Sequence, residues 1–185
     1  ELPDLKITLE HITTKEATKY VYEGNNNLGA SITPHHLALN RNSIFVGGIR
    51  PHNYCLPILK RETHRESLIK AATSGNSKFF LGADTAPHFT LDKESACGCA
   101  GVFNATYCMS IITQLFDDAD SLDKLEKFTS INGAKHYGLK TNQERILISK
   151  EIEPIKFKKF LNIRTEKKIM IFEPNFPVFW KVEKQ

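Results

Sequence analysis

The sequence is poor in cysteine. Four cysteines, Cys55, Cys97, Cys99 and Cys108, occur in 185 residues, and this is too few for a disulfide scaffold in a chain of this length. Cys97 and Cys99 are separated by one residue, which is tighter than the usual spacing of structural zinc sites. We therefore expect reduced cysteines with structural roles, with a redox or metal role as the alternative.

Long apolar runs and a strong excess of one charge are also missing. No stretch approaches the ~20 apolar residues needed to cross a bilayer, and no signal-like segment opens the chain. Lys and Arg total 25 against 21 for Asp and Glu, and basic residues cluster only at 60–70 and 156–159. Nucleic-acid binding requires a basic face with a recognition motif. We expect a cytoplasmic, globular protein with no membrane or nucleic-acid partner.

Short apolar runs alternate with helical patterns in the first part of the chain. Such alternation is typical of a parallel sheet covered by helices on both faces. Further along, two helices and then three strand-like runs are expected. The pattern predicts an α/β fold in residues 1–140 with a small β-containing extension in residues 141–185. The predicted strands are 6–12, 30–36, 78–84, 145–149, 168–172 and 179–182, and the predicted helices are 15–24, 59–75, 103–117 and 121–132.

A histidine or a carboxylate follows each of the first three predicted strands. His11 ends the first strand, His35 and His36 end the second, and Asp84 and His88 follow the third. Ligands of parallel α/β folds bind at the carboxyl ends of the strands. Imidazole and carboxylate groups suit zinc, which activates water as a nucleophile near neutral pH. A metal-dependent hydrolase is therefore one interpretation of the pattern.

Each of these residues also has a simpler structural interpretation. A single histidine after a strand is commonly a polar residue with a hydrogen-bond partner. Asp84 precedes small residues and could cap a turn, while His35 and His36 follow Pro34, where a loop role is usual. Periodicity and spacing leave both interpretations open.

Resemblance to a known family is carried by five segments in order: "LEHITTKEA", "ITPHHLALNRN", "VGGIRPHNYCLPILKRETHR", "FFLGADTAPH" and "KESACGCAGVFNA". Together they resemble the dihydroorotases of the bacterial single-enzyme type, within the amidohydrolase superfamily, from about residue 7 to 140. The resemblance implies a (β/α)8 barrel, of which this chain would supply about strands 6 to 8 and the C-terminal extension. It further implies two zinc ions and the interconversion of N-carbamoyl-L-aspartate and dihydroorotate in pyrimidine biosynthesis.

The resemblance also implies roles for individual residues. His11 matches a ligand of the second zinc ion, and Asp84 matches the carboxylate that touches the first and serves as general base and acid. His88 matches a residue that binds the substrate carboxylate, and Leu56 and Ala100 match positions whose backbone groups hold the pyrimidine ring.

The family's remaining zinc ligands, including a paired-histidine motif and a carboxylated lysine, have no counterpart in this sequence. We therefore expect the N-terminal part of the same barrel as a partner, a homodimer, and no catalysis by these 185 residues alone. Two alternatives remain. A hydantoinase-like or allantoinase-like enzyme would not be expected to have the third and fifth segments, and a non-catalytic scaffold would be expected to have lost His11 and Asp84.

Overall fold

The computed structural model of the chain describes residue 2, residues 4–164 and residues 167–184. The strands are β1 (Ile7–Leu9), β2 (Leu28–Ile32), β3 (Phe79–Leu81), β4 (Ile146–Lys150), β5 (Phe160–Arg164), β6 (Lys167–Met170) and β7 (Trp180–Lys184). The α-helices are α1 (Lys15–Glu23), α2 (Pro34–Ala38), α3 (Glu62–Ala72), α4 (Thr90–Lys93), α5 (Cys108–Asp118) and α6 (Asn132–Tyr137). Short 3-10 turns span Arg41–Ile44, Pro51–Asn53 and Leu122–Lys124, and a π-helical turn spans Lys127–Ile131.

The first three strands form a parallel sheet in the order β1-β2-β3. All five residues of the central strand β2 are buried, as expected for a parallel strand covered on both faces. The predicted parallel α/β arrangement is therefore confirmed. Because the three strands run in the same direction, their carboxyl ends lie at one edge of the sheet.

Local sequence signals explain how α1 begins and ends. The Thr14 side chain caps the helix by accepting a hydrogen bond from the N–H of Ala17 at 3.1 Å, the usual role of threonine at this position. Gly24 ends the helix next to Leu28, and a Cβ atom on Gly24 would lie 2.5 Å from Leu28 Cδ2. The observed helix agrees with the predicted helix at 15–24.

The second strand is shorter than predicted, because the segment that carries His35 and His36 forms α2. The Thr33 side chain accepts a hydrogen bond from the N–H of His36 at 3.1 Å, and Pro34 occupies the first helical turn, where its fixed φ is favourable. All residues of α2 are buried. The expectation of a loop at His35 and His36 was therefore wrong.

The predicted helix at 121–132 is replaced by a 3-10 turn, a π-helical turn and α6. In the C-terminal part, β5 was not predicted, and it pairs antiparallel with β6, while β4 pairs antiparallel with β7. Hydrogen bonds join this part to α5: Asp117 Oδ2 accepts from Lys150 Nζ at 2.6 Å and from Trp180 Nε1 at 3.2 Å. The Gln114 side chain accepts from the N–H of Phe179 at 2.9 Å.

One hydrophobic cluster extends from the sheet into the C-terminal part. It includes Ile32, Phe79 and Phe116 together with Phe172 and Val178. The four cysteines are free thiols. None of the helices in the described part of the chain has both the length and the apolar character needed to span a membrane.

Candidate active site

His11 and Asp84 follow β1 and β3 and share an uncommon backbone conformation. Their φ angles are 54° and 43°, in the left-handed region that costs a non-glycine residue roughly 1–2 kcal/mol. Strained conformations of this kind are concentrated at functional sites. The two residues predicted to face a metal are therefore both held in sharp turns at the carboxyl end of the sheet.

His11 is positioned by Ser31 at the end of β2. The backbone N–H of His11 donates to Ser31 Oγ at 2.8 Å, and His11 Nδ1 lies 3.2 Å from the same oxygen. Gly82 makes room for this pair, because a Cβ atom there would lie 2.6 Å from Ser31 Cβ and 3.4 Å from His11 Cε1. Within the described residues, His11 Nε2 has no hydrogen-bond partner. If Nδ1–H donates to Ser31, Nε2 carries the lone pair that a metal requires.

The backbone on both sides of Asp84 is held by residues far along the chain. The Ala83 carbonyl accepts a hydrogen bond from Asn104 Nδ2 at 2.7 Å, and the N–H of Ala86 donates to the Val102 carbonyl at 3.0 Å. In the part of the chain that the structure describes, the Asp84 carboxylate itself has no hydrogen-bond or ion-pair partner. A fixed backbone with an uncommitted carboxylate suits a metal ligand or a proton acceptor.

The other three predicted site residues lie on three loops that hydrogen bonds connect to one another. His88 Nε2 lies 3.0 Å from the carbonyl oxygen of Ala100, and the N–H of Gly101 donates to the Tyr54 carbonyl at 2.9 Å. Leu56, two residues after Tyr54, is 59% exposed. No group of the described chain accepts a hydrogen bond from the N–H of Leu56 or Ala100. These backbone donors are therefore available to a ligand.

His35, His36 and Cys55 form a buried group whose ligand atoms all lie within 4.8 Å of one another, close enough to hold a metal ion. The hydrogen-bond partners of the imidazoles decide which nitrogens are protonated. His36 Nε2 lies 2.7 Å from the Pro57 carbonyl, which can only accept, so this nitrogen carries the proton. His36 Nδ1 then accepts from the Thr33 hydroxyl at 2.7 Å.

His35 is also neutral and protonated at Nε2. The Asn104 amide nitrogen lies 3.2 Å from His35 Nδ1 and donates to the Ala83 carbonyl as well, so Nδ1 is the acceptor. His35 Nε2 is buried without a partner among the described residues. A metal ion could bind this group only after its protons are displaced.

Burial keeps the same three groups uncharged. It lowers the pKa of His36 to about 4, an effect that the Pro57 hydrogen bond partly offsets and that nearby His11 reinforces. Burial also lowers the pKa of His35 and raises the pKa of the Cys55 thiol to about 11. The cluster is therefore a neutral buried group next to His11 and Asp84, whose charges both act on His36.

Sequence reasoning did not identify Ser31 or Asn104, which position the predicted site residues. Both are common polar residues, and each contacts the site through a partner distant in sequence, so no local pattern marks them. The roles of His11, Leu56, Asp84, His88 and Ala100 remain predictions.

Residues 1–150 match the model of the amidohydrolase family, so the chain belongs to this family of metal-dependent hydrolases. It is 49% identical over 181 residues to a dihydroorotase of Rhizobium leguminosarum bv. trifolii (strain WSM2304), a match that covers 98% of this chain and 52% of the relative.

Two solved dihydroorotase structures are similar to the chain. The structure from Saccharomyces cerevisiae, in complex with 5-fluoroorotic acid, has a TM-score of 0.87 and 29% identity over 99% of this chain and 52% of its own. The structure from Campylobacter jejuni has a TM-score of 0.83 and 29% identity over 97% of this chain and 51% of its own. The chain thus spans about half the length of the relatives that it matches.

Proposed function

We propose that this chain is the C-terminal part of a cytoplasmic, zinc-dependent dihydroorotase, which interconverts N-carbamoyl-L-aspartate and dihydroorotate in pyrimidine biosynthesis. The main support is the match of nearly the whole chain to dihydroorotases, at 49% identity to one relative. In this proposal residues 1–140 form about strands 6 to 8 of a (β/α)8 barrel and residues 141–185 form its extension. The N-terminal part of the barrel completes the site, and the enzyme is a homodimer.

The residues present fit two zinc ions with further ligands from the N-terminal part. His11 offers Nε2 when its Nδ1–H donates to Ser31, and Asp84 offers an uncommitted carboxylate. Bound zinc would activate water and polarise the carbonyl group of the cyclic amide.

Asp84 has the chemistry of a proton shuttle for this reaction. In the ring-opening direction, one carboxylate oxygen takes a proton from the attacking water. The same oxygen passes that proton to the ring nitrogen as the carbon–nitrogen bond breaks, so a single residue acts first as base and then as acid. The fixed backbone around Asp84 limits the movement needed between the two steps.

His88, Leu56 and Ala100 would bind and orient the substrate. The ring of dihydroorotate carries amide N–H and C=O groups, which pair with backbone groups such as the free N–H of Leu56 and of Ala100. With Nε2–H donating to Ala100, protonation of His88 at Nδ1 would provide a charged donor for the substrate carboxylate.

The test is an assay of the full-length protein that contains this chain, with dihydroorotate as substrate and hydantoin as the comparison. The wild-type protein should convert dihydroorotate and require zinc. Asp84→Asn should lower kcat by at least ~100-fold, while Asp123→Asn, on an exposed turn, should not change it. Conversion of hydantoin in preference to dihydroorotate would contradict the proposed substrate. Near wild-type turnover by a metal-loaded Asp84→Asn variant would contradict the role of Asp84.

A further inference from the structure

Lys93 is a buried cation with an unusual set of partners. It ends α4, and only 3% of the residue is exposed, although lysine is rarely buried without a paired carboxylate. No carboxylate of the described residues lies within ion-pair distance of Lys93 Nζ. The ammonium group instead lies 5.7 Å from the centre of the Tyr54 ring.

Three backbone carbonyls satisfy the Lys93 ammonium group. Nζ donates to the carbonyl oxygens of Tyr54 at 2.9 Å, Cys99 at 2.7 Å and Gly101 at 2.8 Å. An ammonium group has three N–H donors, so each of them is used. Burial lowers the pKa of Lys93 to about 8, while nearby Cys55 and Cys99 oppose that shift. The charged form with three donors therefore predominates at neutral pH.

These contacts join the two loops that carry Leu56 and Ala100. Tyr54 lies two residues before Leu56, while Cys99 and Gly101 flank Ala100 on both sides. Because the carbonyls on either side of Ala100 bind Lys93 and the Ala100 carbonyl binds His88, the backbone orientation of Ala100 is determined from both directions. The Tyr54 carbonyl also accepts from the N–H of Gly101, so Lys93 strengthens an existing contact between the loops.

We propose that Lys93 is a positioning residue for substrate binding, which sets the distance and orientation between the backbone of Leu56 and the backbone of Ala100. This inference rests on the proposed function, in which those two residues bind the pyrimidine ring. Lys93 acts only through the two loops. Its side chain has no donor left for the substrate.

The choice of lysine follows from the geometry. Three carbonyl oxygens around one point require three N–H groups diverging from one nitrogen, which an ammonium group supplies. The planar guanidinium of arginine spreads its donors over three nitrogens, and methionine has a similar length but no donor. Lys93→Met and Lys93→Arg are therefore informative variants, and Lys127→Met, at an exposed position, is the matched control.

The experiment uses the full-length, zinc-loaded protein and measures kcat and KM for dihydroorotate, zinc content, and amide hydrogen exchange. Lys93→Met should raise KM roughly 10- to 100-fold, because misplaced backbone donors weaken ring binding. Zinc content should stay at the wild-type level. Exchange should accelerate at the N–H of Gly101 and stay unchanged in β1 to β3. Lys93→Arg should give a smaller rise in KM, and Lys127→Met none.

A folded Lys93→Met variant with KM within about twofold of wild type would overturn the inference. So would an equal acceleration of exchange throughout the sheet, since that indicates a general loss of stability. Should Lys93→Met not accumulate as folded protein, the same measurements on Lys93→Arg decide the question. Failure of the wild-type protein to convert dihydroorotate would instead overturn the proposed function. Amide hydrogen exchange at Gly101 needs no substrate, so it tests the contact between the loops even if the proposed function is wrong.

Discussion

The Nε2 atom of His88 lies 3.0 Å from the carbonyl oxygen of Ala100, which joins two residues that were predicted to bind different parts of the same substrate. The contact limits the imidazole to one orientation and leaves its Nδ1 atom for a ligand. Any change in the loop at Ala100 will therefore also move His88. For this reason, a change that weakens binding of the pyrimidine ring should also weaken binding of the substrate carboxylate.

Removing the His88 imidazole should weaken substrate binding. In His88→Ala, the loss of one charged hydrogen bond, about 1.5–3 kcal/mol, should raise KM for dihydroorotate roughly 10- to 100-fold with a smaller effect on kcat. His64→Ala is the control, because His64 contacts the N–H of Lys15 away from the site. Steady-state kinetics check the prediction, and an unchanged KM in His88→Ala would contradict it.

Gly101→Ala should damage both stability and binding. The Gly101 φ is 150°, and a Cβ atom would lie 2.8 Å from Ala86 Cβ and 2.9 Å from His88 Cδ2. We expect a loss of about 1–3 kcal/mol in the free energy of unfolding, together with a raised KM.

Gly48→Ala is the control that separates the steric clash of a new Cβ atom from the strain of a positive φ angle. Gly48 also has a positive φ, 114°, but a Cβ atom there would meet nothing within 4 Å. Denaturant unfolding should show a smaller loss for Gly48→Ala than for Gly101→Ala. Equal losses would mean that the close approach to His88 and Ala86 has no effect.

Asn104 should matter for turnover although it does not touch the substrate in the proposed site. Asn104→Ala removes the donor that holds the Ala83 carbonyl next to Asp84. We expect a loss of about 1–3 kcal/mol in the free energy of unfolding and a lower kcat, because the carboxylate is less well placed. Asn42→Ala, at an exposed position, is the control. A destabilised Asn104→Ala variant with normal kcat would show that Asn104 has only a structural role.

Acid should destabilise the folded state through His36. The pKa of His36 is about 4 when folded and about 6.5 when unfolded, so the unfolded chain binds more protons between these values. The stabilisation is fully present above pH ~6.5 and is lost as the pH falls toward 4. A shift of this size corresponds to roughly 3 kcal/mol.

Unfolding by denaturant at a series of pH values measures this loss. His36→Gln can keep a donor for the Pro57 carbonyl but cannot titrate, so its stability should depend less on pH between 6.5 and 4. An unchanged pH dependence in His36→Gln would assign the acid sensitivity to other groups, such as His35, whose pKa is lowered in the same direction.

The sequence predicted the parts of this molecule that depend on local patterns. The parallel strands and the helix predicted at 15–24 both follow from patterns of neighbouring residues. The helix α2 could also have been predicted, since Thr33 followed by Pro34 is a common start of a helix. Asp84 became a candidate because it follows an apolar strand, whereas its predicted role came only from the family resemblance.

Contacts between distant segments could not be predicted in this way. Lys93 and Asn104 bind backbone carbonyls that are 39 and 21 residues away in the chain, and nothing in their own neighbourhoods indicates this. Leu56 and Ala100 would act through backbone groups, so their side chains carry no chemical signal, and only the family resemblance pointed to them.

Trp180 is the only tryptophan of these 185 residues, and its indole N–H donates to Asp117 on α5. Tryptophan emission depends on how polar the surroundings of the indole are. The fluorescence of this chain therefore reports where β7 meets α5, which provides a built-in optical probe for separation of the C-terminal strands from the helix.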